Sequence, residues 1–209
     1  MSAQGRFIAL EGGEGVGKST QGRLLAEALR LQGREVVTTR EPGGTAGAEA
    51  IRAMVLGTEG EGWGARAEAL LFAAARADHV EKLIRPAITR GAWVVCDRFV
   101  DSSRAYQGGG GGLSDADILD LHRIGSGALV PDLTLLLTVP PEVAAERLAR
   151  RDGGVADRIG GRDADYHARV AAAFVTFAKA SPTRFAIIDA HGTPEEVHER
   201  VMIAVGGIA

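Results

Sequence analysis

A glycine-rich segment near the amino terminus constrains this chain more than any other feature. Gly12 to Ser19 reads GGEGVGKS, which has the G-x-x-x-x-G-K-S spacing of a phosphate-binding loop. The glycines let backbone N–H groups turn toward an anion, because a side chain would block the turn or the approach. The Lys18 ammonium can then reach the outer phosphates of a nucleotide, and the Ser19 hydroxyl can bind Mg²⁺.

The segments on either side of this loop have the character that it requires. Arg6 to Glu11 is a short apolar run that predicts a buried strand, and leucines and alanines recur at helical spacing after the loop. A helix beginning at about Lys18 would direct its positive end at the same phosphates. A glycine-rich turn with a chance lysine would lack this context. We therefore predict a nucleoside-triphosphate site at Gly12, Gly13, Glu14, Gly15, Val16, Gly17, Lys18, Ser19 and Thr20.

Apolar runs that alternate with helical patterns predict an α/β fold for the whole chain. Five runs read as strands, beginning at Arg6, Glu35, Trp93, Leu133 and Phe185. Strands of this kind form a parallel sheet covered by helices on both faces, which here predicts the three-layer P-loop NTPase fold. A length of 209 residues fits a single domain over residues 1–209. Ligands of such sheets bind beyond the carboxyl ends of the strands.

Three segments between the strands carry further predictions. Ala65 to Ile88 predicts one long helix, and the five glycines from Gly108 to Gly112 predict an irregular loop. Residues 150–163 predict a lid, because a loop rich in Gly, Asp and Arg lies there between two helical patterns. Phosphoryl transfer needs positive charge around the migrating group, which a mobile lid could supply while excluding water. The lid arginines are Arg150, Arg151, Arg158 and Arg162, although a solvated loop could carry the same residues.

Composition excludes several classes of function. The net charge of −3 provides no basic field for nucleic acid, and no apolar run approaches the ~20 residues of a membrane span. Cys96 is the one cysteine, so no disulfide forms within the chain, which fits a reducing compartment. The amino terminus lacks the basic-then-apolar pattern of a signal peptide. We expect a cytoplasmic protein without membrane or nucleic-acid partners.

The loop after the third strand and two helical patterns offer candidate substrate contacts. Asp97 could order Mg²⁺ or its waters, and Arg98 could hold a phosphate through two parallel hydrogen bonds, although both could also form a surface ion pair. Ser103 and Gln107 lie four residues apart and suit the edge of a base. Phe72 and Arg76 have the same spacing and suit a stacking ring with a guanidinium beside it, although Phe72 also fits a plain core position.

Several functions remain open on these residues alone. A guanine-specific GTPase needs an Asn-Lys-x-Asp motif, and the chain contains no asparagine. A small kinase fits better, acting on a nucleoside monophosphate or on a nucleoside with Glu14 or Glu41 as the base. A binding module that switches conformation with the nucleotide is the alternative from another class.

Six motifs taken in order resemble the bacterial thymidylate kinases over nearly the whole chain. They are EGGEGVGKS at 11–19, TREPGGT at 39–45, LFAAAR at 71–76, DRFVDSSRAYQ at 97–107, PDLT at 131–134 and DRI at 157–159. The resemblance implies transfer of the ATP γ-phosphate to dTMP, giving dTDP for dTTP synthesis, with Mg²⁺ and usually in a homodimer. We expect Ser19 and Asp97 to hold this Mg²⁺.

The resemblance also implies roles for individual residues. Its substrate contacts would be Glu14, Glu41, Arg52, Phe72, Arg76, Arg98, Ser103, Tyr106 and Gln107. Phe72 would stack on thymine, Arg76 would bond a base carbonyl, and Arg98 would hold the acceptor phosphate. The catalytic residues would be Lys18, Arg98, Arg158 and Arg151. The last two belong to the lid, whose arginines would take the role of an arginine that the phosphate-binding loop of this chain lacks. The chain departs from its relatives at Gly111 and Gly160, where an arginine and an acidic residue are common.

Overall fold

A parallel β-sheet forms the centre of the computed structural model, which describes residues 5–57, 60–152 and 157–208, without the side chains of 151 and 152. The strands are β1 (Arg6–Glu11), β2 (Val36–Arg40), β3 (Trp93–Asp97), β4 (Leu133–Thr138) and β5 (Phe185–Asp189). Their order across the sheet is β2-β3-β1-β4-β5, and every neighbouring pair is parallel. The predicted five-stranded parallel sheet is confirmed.

Helices cover both faces of the sheet. The helical segments are α1 (Lys18–Leu31), α2 (Ala46–Leu56), α3 (Ala65–His79), π1 (Val80–Ile84), α4 (Arg85–Thr89), α5 (Val100–Ser103), π2 (Arg104–Gly110), α6 (Asp115–Ser126), α7 (Pro141–Asp152), α8 (Ala164–Ala180) and α9 (Pro194–Gly206). Side chains alternate along a strand, so Ile8 and Leu10 pack with α1 and α9 while Phe7 and Ala9 pack against π1 and α4. This alternation produces the three predicted layers.

The long predicted helix is present but is not a uniform α-helix. The chain stays helical from Ala65 to Thr89, and it widens to π-helical turns over Val80–Ile84. Pro86 follows this segment at the first turn of α4, where its missing N–H interrupts the regular hydrogen bonding. Of the described residues, none belongs to a helix that combines the length and apolar character needed to cross a membrane.

The prediction of an irregular loop at Gly108 to Gly112 is wrong for its first three residues. π2 continues through Gly110, and only the last two glycines follow it. Packing against α8 overrides the low helix propensity of glycine. A Cβ on Gly110 would lie 2.5 Å from the Tyr166 ring, and one on Gly109 would lie 2.7 Å from the Ala173 Cβ. The glycines therefore permit close packing of two helices.

A buried carboxylate anchors α5 and π2 to the sheet. Asp101 is fully buried and accepts hydrogen bonds from both Nη atoms of Arg184 at 2.6 and 3.1 Å. Arg104 donates to the same carboxylate at 2.9 Å. Because Arg184 immediately precedes β5, this pair holds the segment that carries Ser103 and Gln107 in a fixed place relative to the sheet.

Candidate active site

A cavity of about 530 Å³ opens at the carboxyl ends of β1, β2 and β3. The side of the cavity next to the phosphate-binding loop is lined by Glu14, Gly15, Gly17, Lys18, Ser19, Thr20 and Asp97. The remaining predicted contacts, which are Glu41, Arg52, Phe72, Arg76, Arg98, Ser103, Tyr106 and Gln107, line the rest of it. All nine residues predicted to contact substrate thus line the same cavity.

The loop between β1 and α1 has the backbone that its glycines predict. Gly15 adopts φ +73°, and a Cβ there would lie 2.6 Å from the Ala144 carbonyl oxygen of α7. The Lys18 ammonium donates to the Gly12 carbonyl oxygen at 3.1 Å and also to that of Gly13. Gly12, Gly13 and Val16 lie outside the cavity lining, and Val16 packs into the core below α1. These residues shape the loop.

The environment of Lys18 lowers the pKa of its ammonium group. Its side chain is buried, and burial with the nearby Arg98 charge lowers the pKa of Lys18 to about 8. Carboxylates of Asp97, Glu14 and Glu11 oppose this shift. An anionic phosphate in the loop would add negative charge beside Lys18 and favour its charged form. The pairing of lysine and loop therefore favours a polyphosphate ligand.

Ser19 and Asp97 form the predicted metal-binding pair. The Ser19 hydroxyl donates to Asp97 Oδ2 at 2.7 Å. No group of three or more His, Cys, Asp or Glu side chains in the described part of the chain is placed to enclose a metal ion. Two oxygen ligands nevertheless fit Mg²⁺, which keeps several waters and takes its other ligands from substrate phosphates.

Arg98 joins the phosphate-binding loop to the rest of the cavity. Its backbone has φ 72°, the left-handed conformation that is unfavourable for a residue with a side chain. The guanidinium donates to the Gly12 carbonyl oxygen at 3.1 Å and to the Glu14 carboxylate. It also lies 4.9 Å from the centre of the Tyr106 ring. A phosphate held by Arg98 would therefore face the nucleotide bound in the loop.

Glu11 is a site residue that the sequence patterns did not identify. Its fully buried carboxylate accepts hydrogen bonds from the Phe99 N–H at 2.8 Å and from the Ser102 N–H and hydroxyl at 3.1 and 2.6 Å. Burial and the charge of Asp101 raise the pKa of Glu11 to about 7. The carboxylate thus fixes the turn on which Arg98 lies. An acidic residue at the end of an apolar strand was the available signal.

The far end of the cavity contains a buried network of charged side chains. Arg76 donates through Nε to Glu41 at 2.7 Å and through Nη2 to the Ser103 hydroxyl at 2.8 Å. The second oxygen of Glu41 lies 3.0 Å from His79 Nδ1, a partner that sequence reasoning missed. Glu41 therefore orients Arg76, whose guanidinium lines the cavity next to Phe72. Arg52 donates to the Pro42 carbonyl oxygen at 2.8 Å.

Comparisons with known proteins decide the family. Residues 10–201 match the family model described as thymidylate kinase. The chain belongs to the thymidylate kinase family. It is 56% identical over 204 residues to a thymidylate kinase of Rhizorhabdus wittichii, with 98% of each chain covered. It is 50% identical over 207 residues to one of Rhodopseudomonas palustris, covering 98% of this chain and 90% of that relative.

Solved structures lead to the same family. A crystal structure of thymidylate kinase from Ehrlichia chaffeensis superposes with a TM-score of 0.79 at 32% identity, covering 96% of this chain and 98% of that one. The resemblance inferred from the sequence motifs is confirmed, and the chain is a kinase of the P-loop class.

In this member of the thymidylate kinase family, the lid residue Arg158 and the neighbouring Arg147 lie differently with respect to the cavity. Arg158 donates to the Gly57 carbonyl oxygen at 2.6 Å and is absent from the cavity lining. Arg147 of α7 lines the cavity, and its Nη1 atom would lie 3.9 Å from a Cβ on Gly17. The side chain of Arg151 lies outside the described residues. Arg147 was missed although it lies one turn before Arg151 on the helix that packs against Gly15.

The lowered pKa of Lys18 predicts a pH dependence of nucleotide binding. The charged form binds phosphate, so the affinity for ATP without metal should be constant below pH 8 and fall by about tenfold per pH unit above it. Titration calorimetry from pH 6.5 to 9.5 measures this. The control variant Lys18→Arg stays charged over this range, and its binding curve should lack the inflection. Equal affinity of the wild type at pH 7 and pH 9.5 would contradict the prediction.

Proposed function

We propose that this protein transfers the γ-phosphate of ATP to the 5′-phosphate of dTMP, forming dTDP and ADP with Mg²⁺ as cofactor. One observation carries the proposal beyond family membership. The phosphate-binding loop, Arg98, Phe72 and Arg76 line a single cavity. Arg98 donates to the Gly12 carbonyl oxygen of the loop, and Arg76 donates to the carbonyl oxygen of Phe99, the residue after Arg98. This arrangement suits two nucleotides that meet through their phosphates, with the donor at Lys18 and the acceptor base at Phe72.

The acceptor itself simplifies the chemistry. Its phosphate monoester has a second pKa of ~6, so at neutral pH it is largely an anionic nucleophile that needs no strong general base. A phosphate oxygen of dTMP attacks the γ-phosphorus, and the bond to the oxygen bridging the β- and γ-phosphates breaks, releasing ADP. Arg98 aligns the acceptor and Lys18 neutralises the donor phosphates. Catalysis then rests on alignment and charge neutralisation.

The remaining residues bind and orient the two substrates. Ser19 and Asp97 would hold Mg²⁺, which supplies positive charge to the donor phosphates. Glu14 orients Arg98 through their ion pair and lies between the two substrates. Phe72 offers a ring for stacking, while Arg76 and Ser103 offer polar atoms to the base. Tyr106 packs beneath Arg98, and Arg52 adds positive charge to the acceptor side.

Substrate choice gives the most informative test. With ATP as donor, turnover of dTMP, dUMP, dCMP, dGMP and AMP should show the largest kcat/KM for dTMP and a clear preference for dTMP over dCMP and the purines. A coupled assay of ADP formation measures all five. Higher kcat/KM for dCMP or a purine monophosphate would instead assign the chain to another nucleoside-monophosphate kinase activity. ATP binding without transfer to any monophosphate would support a nucleotide-dependent switch.

We further propose that Arg158 stabilises the transferring phosphoryl group. To do so it would exchange its hydrogen bonds to the Gly57 and Gly60 carbonyl oxygens, at 2.6 and 3.4 Å, for contacts with the substrate. Arg158→Ala should lower kcat by about 10²-fold or more and leave the KM for dTMP nearly unchanged. Arg147→Ala is the comparison variant, and it should mainly raise the KM for ATP because Arg147 lies over the phosphate-binding loop. A near-native kcat in Arg158→Ala would indicate that Arg147 or Arg151 stabilises the transferring phosphoryl group instead.

A homodimer is the expected assembly, and the helices on one side of the molecule support it. α3 lies between α2 and α6, and each presents a large exposed side chain, namely Met54, Leu70 and Leu119. Leu70→Asp on α3 should convert a dimer to a monomer in light scattering, because it places a charge in the interface. Leu31→Asp on α1, at a site 90% exposed, should leave the dimer intact. A monomeric wild type would exclude this assembly.

We also propose a cytoplasmic location.

A further inference from the structure

We infer that Glu68 determines which nucleobase the cavity accepts by fixing the orientation of the Gln107 carboxamide. Glu68 lies on α3, one turn before Phe72, and only 2% of it is exposed. The inference rests on the proposed function in one respect, namely that the base of the acceptor binds between Phe72 and Gln107. Neither the sequence motifs nor the family assignment gives Glu68 a role.

Both oxygens of the Glu68 carboxylate are engaged. Oε1 accepts a hydrogen bond from Gln107 Nε2 at 2.9 Å, and Oε2 accepts one from the Arg162 guanidinium. Gln107 is 2% exposed and lines the cavity. Within the described part of the chain, the Gln107 side-chain oxygen makes no hydrogen bond. That oxygen is therefore available to a ligand.

The chemistry of a carboxylate fixes the direction of the amide. A carboxylate has only acceptors, so Gln107 must turn its NH₂ group toward Glu68. Its carbonyl oxygen then points away from Glu68, on the side of the cavity. The cavity edge consequently offers a hydrogen-bond acceptor where an amide free to rotate could offer either a donor or an acceptor.

An acceptor at this place discriminates between pyrimidines. Thymine and uracil carry a hydrogen on N3 and can donate to the Gln107 oxygen. Cytosine has an unprotonated N3, which is itself an acceptor, so two acceptors would face each other without a hydrogen atom between them. Leaving buried polar groups unpaired weakens binding by about tenfold to a hundredfold. Glu68 would thus favour thymine and uracil without contacting the base.

Arg162 binds the second oxygen of the Glu68 carboxylate. Its guanidinium lies over the Tyr166 ring at 4.6 Å, and the Tyr166 hydroxyl donates to the Tyr106 carbonyl oxygen at 2.8 Å. The carboxylate is therefore fixed between the end of the predicted lid and π2. With Oε2 bound to Arg162, Glu68 keeps Oε1 directed at Gln107.

Glu68→Gln tests the inference with little change of shape. Arg162 can only donate, so a glutamine at this position keeps its oxygen on Arg162 and turns its NH₂ group toward Gln107. Gln107 must then accept with its own oxygen, and it presents its NH₂ group to the base. Steady-state kcat/KM for dTMP, dUMP and dCMP at saturating ATP should show the dTMP-to-dCMP ratio reduced by about tenfold or more. dUMP should change in parallel with dTMP, since both carry the N3 hydrogen. The KM for ATP should stay at its wild-type value.

Two further variants serve as controls for the change in the dTMP-to-dCMP ratio. Glu81→Gln removes an exposed carboxylate from π1 in the same long helix and should leave the ratio unchanged. In a Gln107→Ala background the amide is gone, so adding Glu68→Gln should no longer alter the ratio. A second effect of the same size in that background would show that Glu68 acts by another route, which would overturn the inference.

The outcomes distinguish this inference from the proposed function. A wild type that strongly prefers dTMP, together with an unchanged ratio in Glu68→Gln, overturns the role of Glu68 and leaves thymidylate phosphorylation intact. An equal loss of kcat/KM for all three pyrimidines likewise reduces Glu68 to a structural residue. A wild type that does not prefer dTMP over dCMP removes the thymine pocket and the inference with it.

Discussion

The ion pair between Arg98 and Glu14 connects the two halves of the cavity, and the rest of the site is arranged around it. Arg98 has a left-handed backbone, a conformation that costs about 1–3 kcal/mol for a residue with a side chain. The hydrogen bonds that Glu11 accepts from Phe99 and Ser102 offset this cost by holding the next turn in place. A fully buried acid beneath the loop thus supports the arginine above it.

Ion pairs with a buried carboxylate recur at three further places in and around the cavity. Asp101 joins α5 to Arg184 before β5, Glu41 joins the turn after β2 to Arg76 of α3, and Glu68 joins α3 to Arg162. Each pair spans two segments that are distant in the chain. Removing one partner of such a pair typically costs about 3–5 kcal/mol, because the other charge stays buried. The polar groups of the cavity are therefore held in place before any ligand binds.

The sequence could predict much of the fold because local patterns carry it. The strand, loop and helix around Lys18 and the helical spacing of Phe72 with Arg76 depend only on neighbouring residues. The glycines of π2 could not be predicted as helical, since their conformation depends on Tyr166 and Ala173 in α8. The roles of Glu11 and Glu68 could not be predicted either, because both residues act through partners that are distant in the chain. Their partners lie 88 to 91 and 39 to 94 residues away, respectively.

The position of Ile159 has a consequence for inhibition. Its side chain is 8% exposed and belongs to the same apolar cluster as Phe72 and Tyr106. The described end of the predicted lid thus forms part of the wall of the cavity. A compound that fills this pocket would contact Ile159 as well as Phe72. Resistance to such a compound could then arise by substitutions in the lid, which leave the phosphate-binding loop untouched.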